Sequence, residues 1–278
     1  INRLNIGGVE KSLLGILNAL PSDRYYIDLG VLEASGGFIA MIPDHVRVFE
    51  LPALKRNGDI LYNRLGALSR TARRNPLKAV KLLALYAYAK FSDTMMPFYK
   101  GFIDDDRTLP EYDVAVSFQG PSEILDYYVS RYVRAKRKIG WIHFDVGKFF
   151  VRPKTVRSCY KFFERIFIVS EDAKRSFDKL FPTLSHRTEV MLNVIDRVAD
   201  LRLSEAEGVF APQDSVCEIV TVGRIAPIKG QTRAIAAATE LKSRGFAFRW
   251  HLVGDGKALE EYRQYAKDCG VGDEVIFH

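Results

Sequence analysis

The chain has 278 residues, 47% of them hydrophobic and 27% charged, a balance that builds globular cores and excludes a disordered chain. That length suits two domains, or one and part of a second. The formal net charge of +7 is concentrated in the first two thirds of the sequence, and no run reaches the ~18 apolar residues that span a bilayer.

Ile1-Asn2-Arg3 has no initiator Met and no charged-then-apolar leader pattern, which reads as a start cut from a longer sequence. Residues 5–17, N-I-G-G-V-E-K-S-L-L-G-I-L, set two glycines ahead of a helix whose Val9, Leu13, Ile16, Leu17 and Leu20 share one face. Lys11-Ser12 is not the tail of a P-loop, because no glycine stands at the earlier spacing that motif needs. Gly7 and Gly8 fit a ligand-free turn, or a backbone wall that a phosphate can approach at a helix N-terminus.

Short β-branched or aromatic runs predict strands at Tyr25–Leu32, Val46–Leu51, Asp113–Phe118, Lys138–His143 and Arg165–Ser170. Between the second and third, residues 77–91 read as a helix with Leu77, Val80, Ala84, Tyr88 and Phe91 on its apolar face. Ser170 can N-cap a further helix, with Glu171 and Asp172 in its first turn, so Glu171 needs no catalytic role. Asp104-Asp105-Asp106 stands in a loop without a His or Glu partner and predicts no metal site. Cations gather at Arg70, Arg73, Arg74, Lys78 and Lys81, at residues 131–138, and at Lys148, Arg152, Lys154 and Arg157. These are either solvated helix faces or surfaces for phosphate and anionic lipid, and no zinc-finger spacing or aromatic RNA-binding motif points to nucleic acid. Cys159, Cys217 and Cys269 are too far apart for a metal or redox motif and read as free thiols.

Residues 200–216 are acidic, hold Gly and Pro, and lack periodicity, which predicts a linker between a lobe at 1–199 and a second at 217–278. After it come a strand at Cys217–Gly223, a helix at 230–244, a strand at Phe248–Gly254, a helix at 257–269 and a strand at Glu274–Phe277. Alternation of this kind predicts an α/β fold with parallel sheets, the second unfinished at His278. In V-T-V-G-R-I-A-P-I-K-G-Q, residues 220–231, Arg224 and Lys229 follow a strand and precede a helix. Cations in that place suit a diphosphate, since ligands of open α/β sheets bind beyond the carboxyl ends of strands; they also suit two plain surface charges.

G-G-V-E at 7–10, M-L-N-V-I-D at 191–196, G-R-I-A-P-I-K-G at 223–230 and L-V-G-D-G at 252–256 occur in an order that resembles the retaining group 1 (family 4) glycosyltransferases of GT-B fold. The resemblance covers nearly the whole chain and implies two Rossmann-like, doubly wound lobes. It implies that Arg224 and Lys229 hold the donor diphosphate and act in catalysis. Gly7 and Gly8 would approach the donor, and His143, in W-I-H-F-D, would reach the transferred sugar. Asn193 and Asp196 would shape the crossing between lobes, with Gly254, Asp255 and Gly256 near the nucleotide. The family's Glu-x7-Glu element is not matched before His278, so the resemblance implies an inactive fragment with an almost complete acceptor lobe and half a donor lobe. Implied partners are a nucleotide-diphosphate sugar, a glycan or lipid-linked acceptor and, through the basic clusters at 70–81 and 131–157, the anionic inner face of the cytoplasmic membrane. No cofactor, metal or nucleic acid is expected. A non-catalytic two-lobed sugar- or nucleotide-binding protein is the alternative.

Overall fold

Apolar runs of β-branched residues and helices with one covered stripe alternate along the chain, and the strands they form are all parallel. The computed structural model describes residues 1–55, 64–103, 109–196 and 216–278. Asp104–Asp106 and nearly all of the expected linker lie outside the described residues. The chain divides into two units, Ile1–Leu201 and Arg202–His278.

In the first unit, α1 (Gly8–Ala19) precedes β1 (Ile27–Val31) and β2 (Val46–Glu50), which pair with Leu29 opposite Val48. Helices α2 (Pro52–Lys55), α3 (Arg64–Arg74), α4 (Pro76–Phe91) and α5 (Met96–Phe102) follow. A second sheet then runs β3 (Tyr112–Gly120), β4 (Ala135–Ile142), β5 (Arg165–Ile168) and β6 (Thr188–Val190), in that spatial order. Parallel neighbours need crossovers, and α6 (Glu123–Arg131), α7 (Pro153–Tyr160) and α8 (Glu171–Leu180) supply them. As expected, Ser170 caps α8, its hydroxyl accepting from the Ala173 amide at 3.2 Å. Residues 1–4 lie between the two sheets. The Ile1 nitrogen donates to the Gly30 carbonyl at 3.0 Å on one side, and the Asn2 amide to Gln119 Oε1 at 2.8 Å on the other.

Two cores hold this unit. Leu13 and Leu17 of α1 close on Leu29, Val31, Val46, Phe118 and Trp141. On the other side, Tyr128, Tyr160, Phe163, Phe177 and Phe181 pack under the four-stranded sheet. Large apolar side chains each contribute about 1.5–3 kcal/mol on full burial, so both cores stabilise the unit substantially.

One expectation is corrected. Helix α4 forms where predicted, with Asn75 Oδ1 accepting from the Lys78 amide at 2.9 Å and Pro76 in its first turn. Its covered stripe, however, is Ala79, Leu82 and Ala89. The predicted apolar face points to solvent, with Leu77 84% and Phe91 92% exposed. Helical period identifies two stripes and does not say which one a neighbour covers. Here Leu82 and two alanines face the neighbouring elements, and Leu77, Val80, Tyr88 and Phe91 are left outside.

In the second unit, β7 (Cys217–Val222), β8 (Phe248–Val253) and β9 (Val275–Phe277) form a parallel sheet in that order, joined by α9 (Gln231–Ser243) and α10 (Leu259–Asp268). Ile225, Ile235, Phe248, Leu252, Tyr262 and Val275 make its core.

Candidate functional site

The second unit builds its candidate site from backbone. After β7, Gly223 donates to the Val253 carbonyl and Ile225 to the Asp255 carbonyl, both at 2.9 Å. The stretches G-R-I and G-D-G are therefore clamped to each other at the carboxyl ends of β7 and β8. The clamp requires the two glycines. Gly254 has φ +148°, and a Cβ there would lie 2.2 Å from the Gly223 carbonyl oxygen; at Gly256 it would lie 2.0 Å from that of Ile225. Asp255 is turned inward on the turn itself, its Oδ1 accepting from the Gly256 amide at 2.7 Å.

The loop carrying the cations is braced from inside. Gln231 is buried, and its Nε2 donates to the Arg224 carbonyl at 2.8 Å. Gly230, at φ +75°, takes the left-handed conformation that starts α9, and Lys229 ends the single turn Pro227–Lys229 just before it. The Arg224 and Lys229 side chains are exposed, and neither has a carboxylate partner among the described residues. An anion at this spot would meet two unneutralised cations and the amide end of a 13-residue helix.

The first unit presents a different chemistry. His143 follows β4 directly and lies against the rings of Phe118, at 4.6 Å, and Trp141, at 6.0 Å. Among the described residues, neither ring nitrogen completes a hydrogen bond of good geometry. Burial pushes its pKa down to about 4; the nearby Asn193 side chain and Phe118 backbone oppose that only in part. The imidazole is therefore neutral at pH 7. The segment holding Asn193 runs along α1: Gly15 leaves room for the Val194 carbonyl, and Asn18 Nδ2 donates to Asp196 Oδ2 at 2.9 Å. Asp196 thus fastens this segment to α1, and Asn193 is brought to His143.

At the start of α1, Gly7 is the N-cap residue and Gly8 the first helical one. The buried Glu10 folds back over this turn, and a Cβ on Gly7 would lie 2.5 Å from its Oε2. A carboxylate already faces the positive end of α1, so this turn is a poorer phosphate seat than the one before α9. Gly8 faces open space, with nothing within 4 Å of a Cβ there.

One buried acid escaped the sequence reading. Asp126 on α6 is 2% exposed and accepts from Ser117 Oγ at 2.6 Å and the Ser122 amide at 2.8 Å. Burial raises its pKa to about 7, these bonds notwithstanding. It lines a cavity of about 80 Å³ with Thr155 and Cys159. Its one signal in sequence is a lone acid inside the apolar stretch I-L-D-Y-Y. Among the described residues no group of three or more His, Cys, Asp or Glu side chains could hold a metal ion.

Parallel α/β units with glycine turns at the carboxyl ends of their strands are Rossmann-like, and solved structures of GT-B fold match the chain. Over its whole length it is similar to Anabaena Alr3699/HepE, solved in complex with UDP and glucose, with a TM-score of 0.59 and 16% identity over 67% of that chain. The lipopolysaccharide outer core galactosyltransferase WaaB matches at TM-score 0.51 and 12% identity, over 99% of this chain and 64% of its own. WaaG, a glycosyltransferase involved in lipopolysaccharide biosynthesis, matches at 0.50 and 11%, over 100% and 68%. At such identities the likeness shows the fold. In sequence, 59 residues are 37% identical to a GDP-mannose-dependent alpha-(1-6)-phosphatidylinositol monomannoside mannosyltransferase of Mycobacterium tuberculosis. That stretch is 21% of this chain and 15% of the relative. No family model matches.

Proposed function

We propose that the protein containing this chain is a glycosyltransferase that moves a sugar from a nucleotide-diphosphate donor to a glycan or lipid-linked acceptor, with retention at the anomeric carbon, in cell-envelope polysaccharide or lipopolysaccharide synthesis. The observation that carries this reading is the pair Arg224 and Lys229, exposed and uncompensated on a clamped loop that opens α9. The UDP held by HepE and the lipopolysaccharide role of WaaG support it by analogy of fold.

Breaking the anomeric C–O bond leaves charge on the departing diphosphate. Arg224 can bind its oxygens in a fork, Lys229 adds a compact charge, and the amides at Gly230–Gln231 add a partial one. These groups are placed before the reaction, so their stabilisation grows with the charge and lowers the barrier. They act where other enzymes place a metal ion, and the mechanism uses none. The leaving phosphate is the base that takes the acceptor's proton. His143, neutral at pH 7, exchanges a hydrogen bond with the transferred sugar and does not compete for the diphosphate. Asn193 positions that ring, and Asp196 anchors its segment. Gly8 gives the donor room, while Gly254, Asp255 and Gly256 support the cationic loop from below.

In the full-length protein, Arg224→Ala or Lys229→Ala lowers turnover by ~10²-fold or more, the usual cost of losing a transition-state donor. Both side chains are exposed, so the unfolding midpoint stays put. Unchanged turnover in both variants removes the diphosphate assignment. Nucleotide binding without any turnover in the wild type favours the non-catalytic alternative.

We further propose peripheral association with the inner face of the cytoplasmic membrane, through α4. Leu77, Val80, Tyr88 and Phe91 form an exposed apolar stripe, with Lys78 and Lys81 beside it and Arg73 and Arg74 just before it. A bulky apolar stripe flanked by cations suits the boundary of an anionic bilayer. Much of the 131–157 cluster is less available: Arg137 is paired with Glu164, Arg152 with Glu123 and Lys136 with Asp113. Replacing Leu77 and Phe91 together with Ser weakens binding to phosphatidylglycerol vesicles by ~10-fold or more, since each side chain gains about 1.5–3 kcal/mol on burial. Unaltered co-sedimentation would sink the idea.

A further inference from the structure

At the amino ends of β4 and β5 the four-stranded sheet opens into a pocket of about 540 Å³, lined by Lys136, Arg137, Lys138, Arg165 and Arg187 around Phe162 and Glu164. His143 lies past the opposite end of β4, seven residues from Lys136, which at ~3.3 Å per residue sets the pocket about 23 Å from the candidate sugar site. Charge in the pocket does not cancel. Glu164 is engaged by Arg137 at 2.9 Å, with Arg165 also near it, and Asp113 takes Lys136 at 2.7 Å. Lys138, Arg165 and Arg187 have no ion-pair partner of their own among the described residues. Lys138 is half-buried and donates a hydrogen bond to the Ser130 carbonyl, at 3.0 Å, with the like charge of Arg131 close by.

One guanidinium group of the pocket is held in place, and a neighbouring one packs on its rim. Arg187 Nη1 donates to the carbonyls of Lys161 and Phe163, at 2.8 and 2.9 Å, which fixes it at the end of α7. Arg131 lies over the Phe162 ring at 4.3 Å. Partial burial and then the neighbouring Arg131 disfavour the charge on Lys138, and an anion in the pocket opposes both effects. Guanidinium N–H donors beside a compact ammonium match tetrahedral oxyanions, and the volume exceeds what one phosphate needs.

We propose that this pocket binds a phosphate group, carried by a soluble metabolite or by a lipid headgroup, at a site separate from the donor site and independent of the glycosyl-transfer reading. The test uses the chain with Arg224→Ala and Lys229→Ala, which silences the donor loop, and titrates inorganic pyrophosphate by calorimetry at low salt. Adding Arg165→Glu weakens binding by about tenfold or more, the worth of a charge-assisted hydrogen bond. Lys179→Glu, the same charge change on an exposed position of α8, leaves it within about twofold, as a distant surface charge should. No binding to the silenced chain, or equal weakening by both substitutions, overturns the proposal. Vesicles of phosphatidylcholine with phosphatidylglycerol, tested with Leu77 and Phe91 also replaced by Ser, then identify the source. Vesicle binding lost with Arg165→Glu assigns a headgroup; pyrophosphate binding without vesicle binding assigns a soluble phosphate.

Discussion

The two units use glycine for opposite reasons. In the second, Gly254 and Gly256 let two backbone segments touch, and the cations stand outside on the clamp so formed. In the first, Gly7 makes room for a side chain, Glu10, and Gly8 is simply open. The chemistry divides in the same way. Arg224 and Lys229 are exposed and charged, whereas His143 sits among rings with its pKa down at about 4. A glycine pair before a helix is therefore no measure of anion binding; what decides is the charge already resident at that helix end. Of the candidate site residues, the charged pair lies on the second unit and the neutral imidazole on the first.

The comparison breaks first at the clamp. Gly254→Ala places a Cβ on a carbonyl oxygen at a φ that L-residues avoid, and should cost about 3 kcal/mol or more in denaturant unfolding. Gly256→Ala should do the same by contact with Ile225. A loss below that of Gly7→Ala would show that the loops separate easily. His143 comes next. Its pKa is about 4 when folded against an ordinary 6.5, so the unfolded chain takes the proton first. Its share of stability is complete above about pH 6.5 and is lost as pH falls towards 4. Asp126, raised to about 7, acts with the opposite sign, losing stability as pH rises from 3.8 through 7. His143→Phe should flatten the acid limb of a stability–pH profile; an unchanged slope would put the ring in water. Gly7→Ala should cost about 1 kcal/mol, since only the flexible Glu10 side chain must move. Smallest is Gly8→Ala, neutral or stabilising by up to about 1 kcal/mol, because alanine favours the helix and meets nothing.

Much of this was legible from residue order. The five strands expected in the first unit are present, and β4 begins at Ala135, three residues before its expected start. β6 went unread because Thr-Glu-Val is too short to show a period. The interleaving of G-R-I with G-D-G was invisible, since the two are some thirty residues apart and meet through backbone hydrogen bonds that side-chain identity does not encode. In sequence Glu10 is one residue of a G-G-V-E motif; only the fold turns its carboxylate over the start of the helix. Asp126 and the pocket between β4 and β5 arise from residues distant in sequence, whose charges mean little until the sheet sets them side by side.

Sequence alone determined the alternation of strands and helices, the parallel class of the sheets and the position of Arg224 and Lys229 between a strand and a helix. Those follow from local periodicity and from the few residues that turns tolerate. Tertiary structure decided which face of α4 is covered, which glycines are obligatory and which cations remain unpaired. These depend on what each surface meets, and a chain acquires its neighbours only when it folds.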